Sequence, residues 1–194
     1  MAIARFSLLM LLLLLTLNAK YLFNEHLISP KAADIIEKIG DELNRTTNIN
    51  TYLIATNDEI KRGVSVYEYI KKYSSSLGKP YVAIVFAPNS TRLHIIASNK
   101  SLLKEIDKKK VKDYAIKIIA SADKNSLQSK YDLGLVQAYS ELADEIAQTK
   151  GVELKSTIKE SGRWVLNLIN SLVIIGSLIV IWIYFISPLI KKKG

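Results

Sequence analysis

From Trp164 to Ile190 no residue carries a charge, and Lys191, Lys192 and Lys193 follow at once. At about 1.5 Å per helical residue, residues 164–186 alone are long enough to cross a hydrocarbon core of about 30 Å. A buried helix of a soluble domain needs no such length, so the stretch 164–190 predicts a transmembrane helix. Arg163 stands alone on the other flank, and the positive-inside rule therefore places the short tail 191–194 in the cytoplasm. Trp164 and Trp182 suit the aromatic belts of the two interfaces. Asn167 and Asn170 share a helix face near the outer end, where a neighbouring helix or the lipid headgroups satisfy them.

The other end has a different layout. Arg5 precedes an uncharged run over 6–17, and a short polar exit with Ala19 follows. This is the plan of a signal peptide over 1–19, cleaved after Ala19; extension through Tyr21 and Leu22 would instead make it a retained anchor. Together the two ends export residues from about 20 to 160 and stop transfer after them. With no outer-membrane barrel pattern, the expected location is a bacterial inner membrane. The chain is then single-pass, with a periplasmic domain over 20–150 and a linker over 151–163.

Composition removes several chemistries. The chain has no Cys, which excludes a disulfide framework, a thiolate nucleophile and a cysteine-based metal site. Only His26 and His94 could serve a Ser-His-Asp arrangement, and no G-x-S-x-G motif accompanies them. The eight glycines are scattered singly, so no phosphate-cradling loop is visible. Nucleic acid is not an expected partner outside the cytoplasm.

Within the exported part, Ser29-Pro30 opens a helix with Ala33, Ile36, Ile39, Gly40 and Leu43 on one face, ending near Arg45-Thr46-Thr47. Residues 50–56 read as a short strand. Residues 65–73 read as an amphipathic helix capped by Ser65 and stopped near Gly78. Residues 81–86 and 92–97 bracket a Pro-Asn-Ser-Thr turn as a hairpin, the first run apolar enough to be covered on both faces. Helices follow from Asp107 to about Ala120 and from about Asp132 to Lys150, with a polar break at 121–129. This order predicts a three-layer α/β/α sandwich with a small mixed sheet, its first two strands parallel through a crossover.

Several of these stretches resemble, in order, the TPM domain family, named for a thylakoid-lumen protein, a photosystem repair protein and a levamisole-receptor accessory protein. The matches are Leu27-Ile28-Ser29-Pro30 before the first helix, Tyr52-Leu53-Ile54-Ala55-Thr56 as the first strand, and Val64-Ser65-Val66-Tyr67-Glu68-Tyr69 as the second helix. Leu77-Gly78 precedes the next strand, Asp107 opens a helix, and Lys130-Tyr131-Asp132-Leu133-Gly134-Leu135 opens the last one. The resemblance covers about 25–150 and implies the same sandwich on a membrane anchor. It also implies accessory work on a membrane-protein complex, or a phosphatase dependent on Ca or Mg. Where the family carries Asp-Asn-Gly this chain has Lys79-Pro80-Tyr81, and Ser98-Asn99-Lys100 begins the stretch standing in for its glycine-rich loop. Both departures weaken a cation site.

Two candidate sites remain. Asp58 and Glu59 follow the first strand, and Glu105 and Asp107 follow the third, so the four carboxylates would form a cation site if they gathered at one end of the sheet. The plainer reading is that Asp107 caps a helix and the others are solvated. Lys100, Lys104, Lys108, Lys109, Lys110 and Lys112, with Lys117, give 100–117 seven Lys against three acids, a net +4 suited to an acidic partner or anionic lipid. A merely solvated helix face explains them as well. His94 is expected to be partly buried. Asn44, Asn89 and Asn99 begin Asn-x-Ser/Thr triplets, candidate glycosylation points. The expectation from all this is an accessory protein with no cofactor, bound to a membrane-protein complex and the bilayer, in an oligomeric state the sequence leaves open; the alternative is the divalent-metal phosphatase.

Overall fold

The structure, a computed structural model, describes residues 20–158. The leader at 1–19 and the span at 164–190, with Trp164, Asn167, Asn170 and Trp182, lie outside the described residues. Among the described residues no helix is long and apolar enough to cross a membrane.

The chain is α/β. It enters through β1, Leu22–Asn24, a strand too short to show a period and not anticipated from the sequence. Helix α1, Pro30–Thr47, begins at the expected cap, where Ser29 accepts a hydrogen bond from the Ala32 amide. It ends where Asn48, at φ 56°, returns its amide to the Asn44 carbonyl. Ile36, Ile39, Gly40 and Leu43 form its buried stripe, as the periodicity predicts.

Strand β2, Asn50–Ala55, pairs in parallel with β1 on one side and with β3, Tyr81–Ala87, on the other. Strand β4, Arg92–Ala97, returns antiparallel to β3 after the turn at Pro88–Ser90, giving a mixed four-stranded sheet in the order β1-β2-β3-β4. Every residue of β3 is buried, in keeping with its apolar run.

Between β2 and β3 the expected two-turn helix is shorter. Helix α2, Val66–Tyr69, capped by Ser65, tightens at once into a 3-10 turn, Ile70–Tyr73. Its aromatic and β-branched residues are weak helix formers, and burial of Val66, Ile70 and Leu77 anchors the segment instead. Helix α3, Lys108–Ile119, is capped by Asp107. Helix α4, Leu127–Thr149, starts earlier than the apolar pattern suggests, because Ser126 within the polar break is its N-cap and accepts from Ser129 N at 3.1 Å.

Alternation along β3 separates the two faces. Ala83 and Val85 join Tyr52, Ile54, Val66, Ile70 and Leu77 in one cluster under α2. Phe86 points the other way and meets the Tyr131 ring of α4 edge-on, with centroids 4.9 Å apart. Helices α1 and α3 pack on α4. Tyr139 of α4, 0% exposed, donates its hydroxyl to the Thr51 carbonyl at 2.6 Å and ties α4 to β2.

The first half of the expected linker is docked. Leu154 is 1% exposed, and the Glu42 carboxylate of α1 accepts the amides of Lys155 and Ser156 at 2.9 and 2.7 Å. Burial works against that carboxylate, yet the two amides more than offset it and hold its pKa below the ordinary glutamate range.

Candidate functional site

The three parallel strands exit at one end of the sheet, the place where open α/β sheets usually form ligand crevices. Here the exits are stitched together. Glu25, just past β1, accepts the Thr56 hydroxyl at 2.9 Å and the Asn57 amide at 2.7 Å. The Tyr69 hydroxyl lies 2.9 Å from both Thr56 Oγ1 and Asp58 Oδ2, and its single proton is shared between them. Lys72 donates to the same Asp58 oxygen, with its ammonium 4.4 Å from the Tyr69 ring centroid and 4.9 Å from that of Tyr73. Asn89 donates to the Asn57 carbonyl at 2.7 Å, and Ser90 accepts the Ile60 amide at 2.6 Å.

The electrostatics follow from these partners. The Lys72 and Tyr69 hydrogen bonds hold Asp58 below the usual carboxylate range. Burial pushes the Tyr69 phenol up to about 12. Burial opposes the Lys72 charge, but bonds to Asp58, Tyr69 and Tyr73 raise it above the ordinary lysine value. Asp58 is thus a neutralised anchor for the loop after β2, and a phenol raised to about 12 stays protonated at neutral pH.

The four carboxylates proposed as a cation site do not gather. Because β4 runs antiparallel, Ala97 pairs with Val82 at the start of β3, so the turn that follows β4 and leads to Glu105 and Asp107 begins at the opposite end from Asp58 and Glu59. Glu105 lines a cleft of about 240 Å³ with Ile49, Val82 and Lys150. Asp107 caps α3, accepting Lys109 N and Lys110 N at 3.0 Å each. Glu59 is exposed. Among the described residues no group of three His, Asp or Glu is placed to hold a metal ion.

The basic segment divides. Lys110 turns back onto α4, 2.5 Å from Glu141 and 3.3 Å from Glu145, which raise its pKa above the lysine value. Lys100, Lys104, Lys108, Lys109 and Lys117 are exposed and Lys112 half-buried, with no ion pair among the described residues. Ile116, 51% exposed, lies on the helix stripe of Lys109 and Lys112. His94 is exposed rather than partly buried, since it stands on edge strand β4 beyond the cover of short α2. What burial it has, with the charges of Lys112 and Arg92, lowers its pKa. Of the triplet asparagines, Asn44 donates to Asn50 at 3.0 Å, Asn89 to Asn57, and Asn99 accepts Ser101 N at 3.0 Å.

At the other end of the sheet, a second cleft of about 320 Å³ opens between the α2 segment and the adjoining ends of β3 and β4. Lys71, Lys79 and Lys100 line it with Tyr67, Tyr81 and Ser98. Sequence reasoning found only Lys100 of this set, and it missed Tyr69 and Lys72 at the strand exits. The signal available was the dense run of Tyr67, Tyr69 and Tyr73 among lysines, which an amphipathic reading absorbs as an ordinary face.

No family model and no curated protein matches the chain. Among solved structures it is similar to the NMR structure of BA42 protein from the psychrophilic bacteria Bizionia argentinensis sp. nov.. The identity is 18%, over 69% of this chain and 95% of that chain, at a TM-score of 0.42. A likeness of that degree decides nothing about chemistry.

Proposed function

We propose that this chain is a membrane-anchored accessory protein. Its TPM-like domain, a three-layer α/β/α sandwich, works on the periplasmic face of a bacterial inner membrane and holds or helps assemble a partner membrane-protein complex. One observation carries the reading: the groups that would do chemistry are engaged internally, whereas the groups that would meet a partner are not. Asp58 is tied to Lys72 and Tyr69, and Asp107 to the α3 amides. On α3, by contrast, Lys108, Lys109 and Lys117 are exposed around the apolar side chain of Ile116. An apolar anchor inside a charged rim is the usual anatomy of a protein-binding patch, and its sign calls for an acidic rim on the partner.

The test is affinity purification of the full-length protein, tagged at its tail, in mild detergent. A stoichiometric membrane complex that is lost on Lys109→Glu with Lys117→Glu supports the reading; a chain extracted by itself counts against it. The phosphatase alternative is favoured only by the position of Asp58 at the parallel strand exits. It predicts hydrolysis of a chromogenic phosphate ester with Mg²⁺ or Ca²⁺ that vanishes in Asp58→Asn.

A further inference from the structure

The cleft of about 320 Å³ beside α2 falls within the size range of small-molecule sites, which begins near 300 Å³. It exists because α2 is a single turn that leaves this end of the sheet face uncovered. Its three lysines come from separate segments: Lys71 from the 3-10 turn, Lys79 from the loop before β3, and Lys100 from the turn after β4. No acidic residue lines the cleft, and none of the three makes an ion pair among the described residues. All three side chains are exposed, long and flexible, so their ammonium groups can turn toward an anion held in the cleft.

The remaining lining narrows the ligand. Ser98 Oγ accepts the Tyr81 amide at 3.0 Å, which leaves its own proton to donate. Tyr81, 9% exposed, and Tyr67, 47% exposed, contribute aromatic surface. Three ammonium groups act as point charges without a planar fork, and this suits the three terminal oxygens of a phosphate monoester. The rings suit a flat or apolar body attached to it.

We propose that this cleft binds a phosphate monoester with a flat or apolar body, the phosphate among Lys71, Lys79 and Lys100 and the body against Tyr67 and Tyr81. The ester comes either from a soluble organic phosphate or from the headgroup of a lipid, and one experiment separates the two.

Full-length protein in uncharged detergent is titrated calorimetrically, at physiological salt without divalent metal, with phenyl phosphate, inorganic phosphate and a short-chain phosphatidic acid. Saturable binding of phenyl phosphate, about 3-fold or more tighter than inorganic phosphate, is expected. Lys79→Gln with Lys100→Gln weakens it by about 10-fold or more, while Lys31→Gln with Lys38→Gln, the same charge loss at exposed positions of α1, changes it less than about 2-fold. Tyr67→Ser removes the preference over inorganic phosphate. If phosphatidic acid displaces phenyl phosphate and binds more tightly, the source is lipid; if it does not compete, the source is soluble. Absence of saturable binding by all three probes overturns the proposal, as does equal weakening by the two double variants.

Discussion

Replacing Glu42 by Ala should unlatch residues 151–157 without unfolding the sheet. In the native chain this carboxylate accepts two backbone amides, Lys155 N at 2.9 Å and Ser156 N at 2.7 Å. Charge-assisted bonds contribute about 1.5–3 kcal/mol each when well buried. Glu42 is only half-buried, so solvent screening reduces the pair to about 1–3 kcal/mol in total. Leu154, 1% exposed, keeps part of the segment in place. Since about 1.4 kcal/mol is tenfold in an equilibrium constant, exchange of the Lys155 and Ser156 amides should rise about 5- to 150-fold. The β2 and β3 amides should change far less. The depressed pKa fixes the pH dependence: this stabilisation is present above the unfolded glutamate value of about 4.3 and is lost as pH falls through the lower folded value. Native-state hydrogen exchange of wild type and variant at neutral pH reads the difference directly. Unchanged protection at 155 and 156, or an equal loss across the sheet, would refute the latch.

Three further outcomes follow from the packing. Tyr139→Phe removes the buried bond to the Thr51 carbonyl and should cost about 1–2 kcal/mol in a denaturant titration, with an unchanged slope. Gly40→Ala places a methyl 2.6 Å from both the Tyr139 hydroxyl and the Tyr21 ring, so about 1–3 kcal/mol of overpacking is expected; a neutral effect in the same titration would contradict it. Asp58→Asn should cost under about 1 kcal/mol because both partners of its ion pair are nearly half exposed. The Asp58 contribution is lost as pH falls through its lowered pKa and the Lys72 contribution as pH rises through its raised one. Wild type and variant should therefore converge toward pH 3 in thermal melts and differ most near neutrality.

Much of the fold could be read from local chemistry. Ser29-Pro30, Ser65 and Asp107 all act as the caps their side chains suggest, and the apolar run of β3 announces a central strand. Features that depend on long-range partners were not readable. Strand β1 is three residues held by β2 and by the Glu37 carboxylate, which accepts Tyr21 N and Leu22 N at 2.9 Å each. The docking of 151–157 rests on Glu42, more than a hundred residues away. The carboxylates divide in the same way: Asp107 caps α3 and Glu59 and Glu105 are exposed, as the plainer reading has it, while the reversed direction of β4, which parts the two pairs, is a long-range feature. The lysine cleft was missed for a similar reason, since Lys71, Lys79 and Lys100 come together only when the sheet forms.

The accessory role is tested most directly by site-specific photo-crosslinking in intact membranes. The photoreactive residue replaces Ile116 on α3 in one strain and exposed Lys38 on α1 in another. The account predicts one discrete adduct with a membrane protein from position 116 and none from position 38. No adduct from position 116, or the same adducts from both positions, would contradict it.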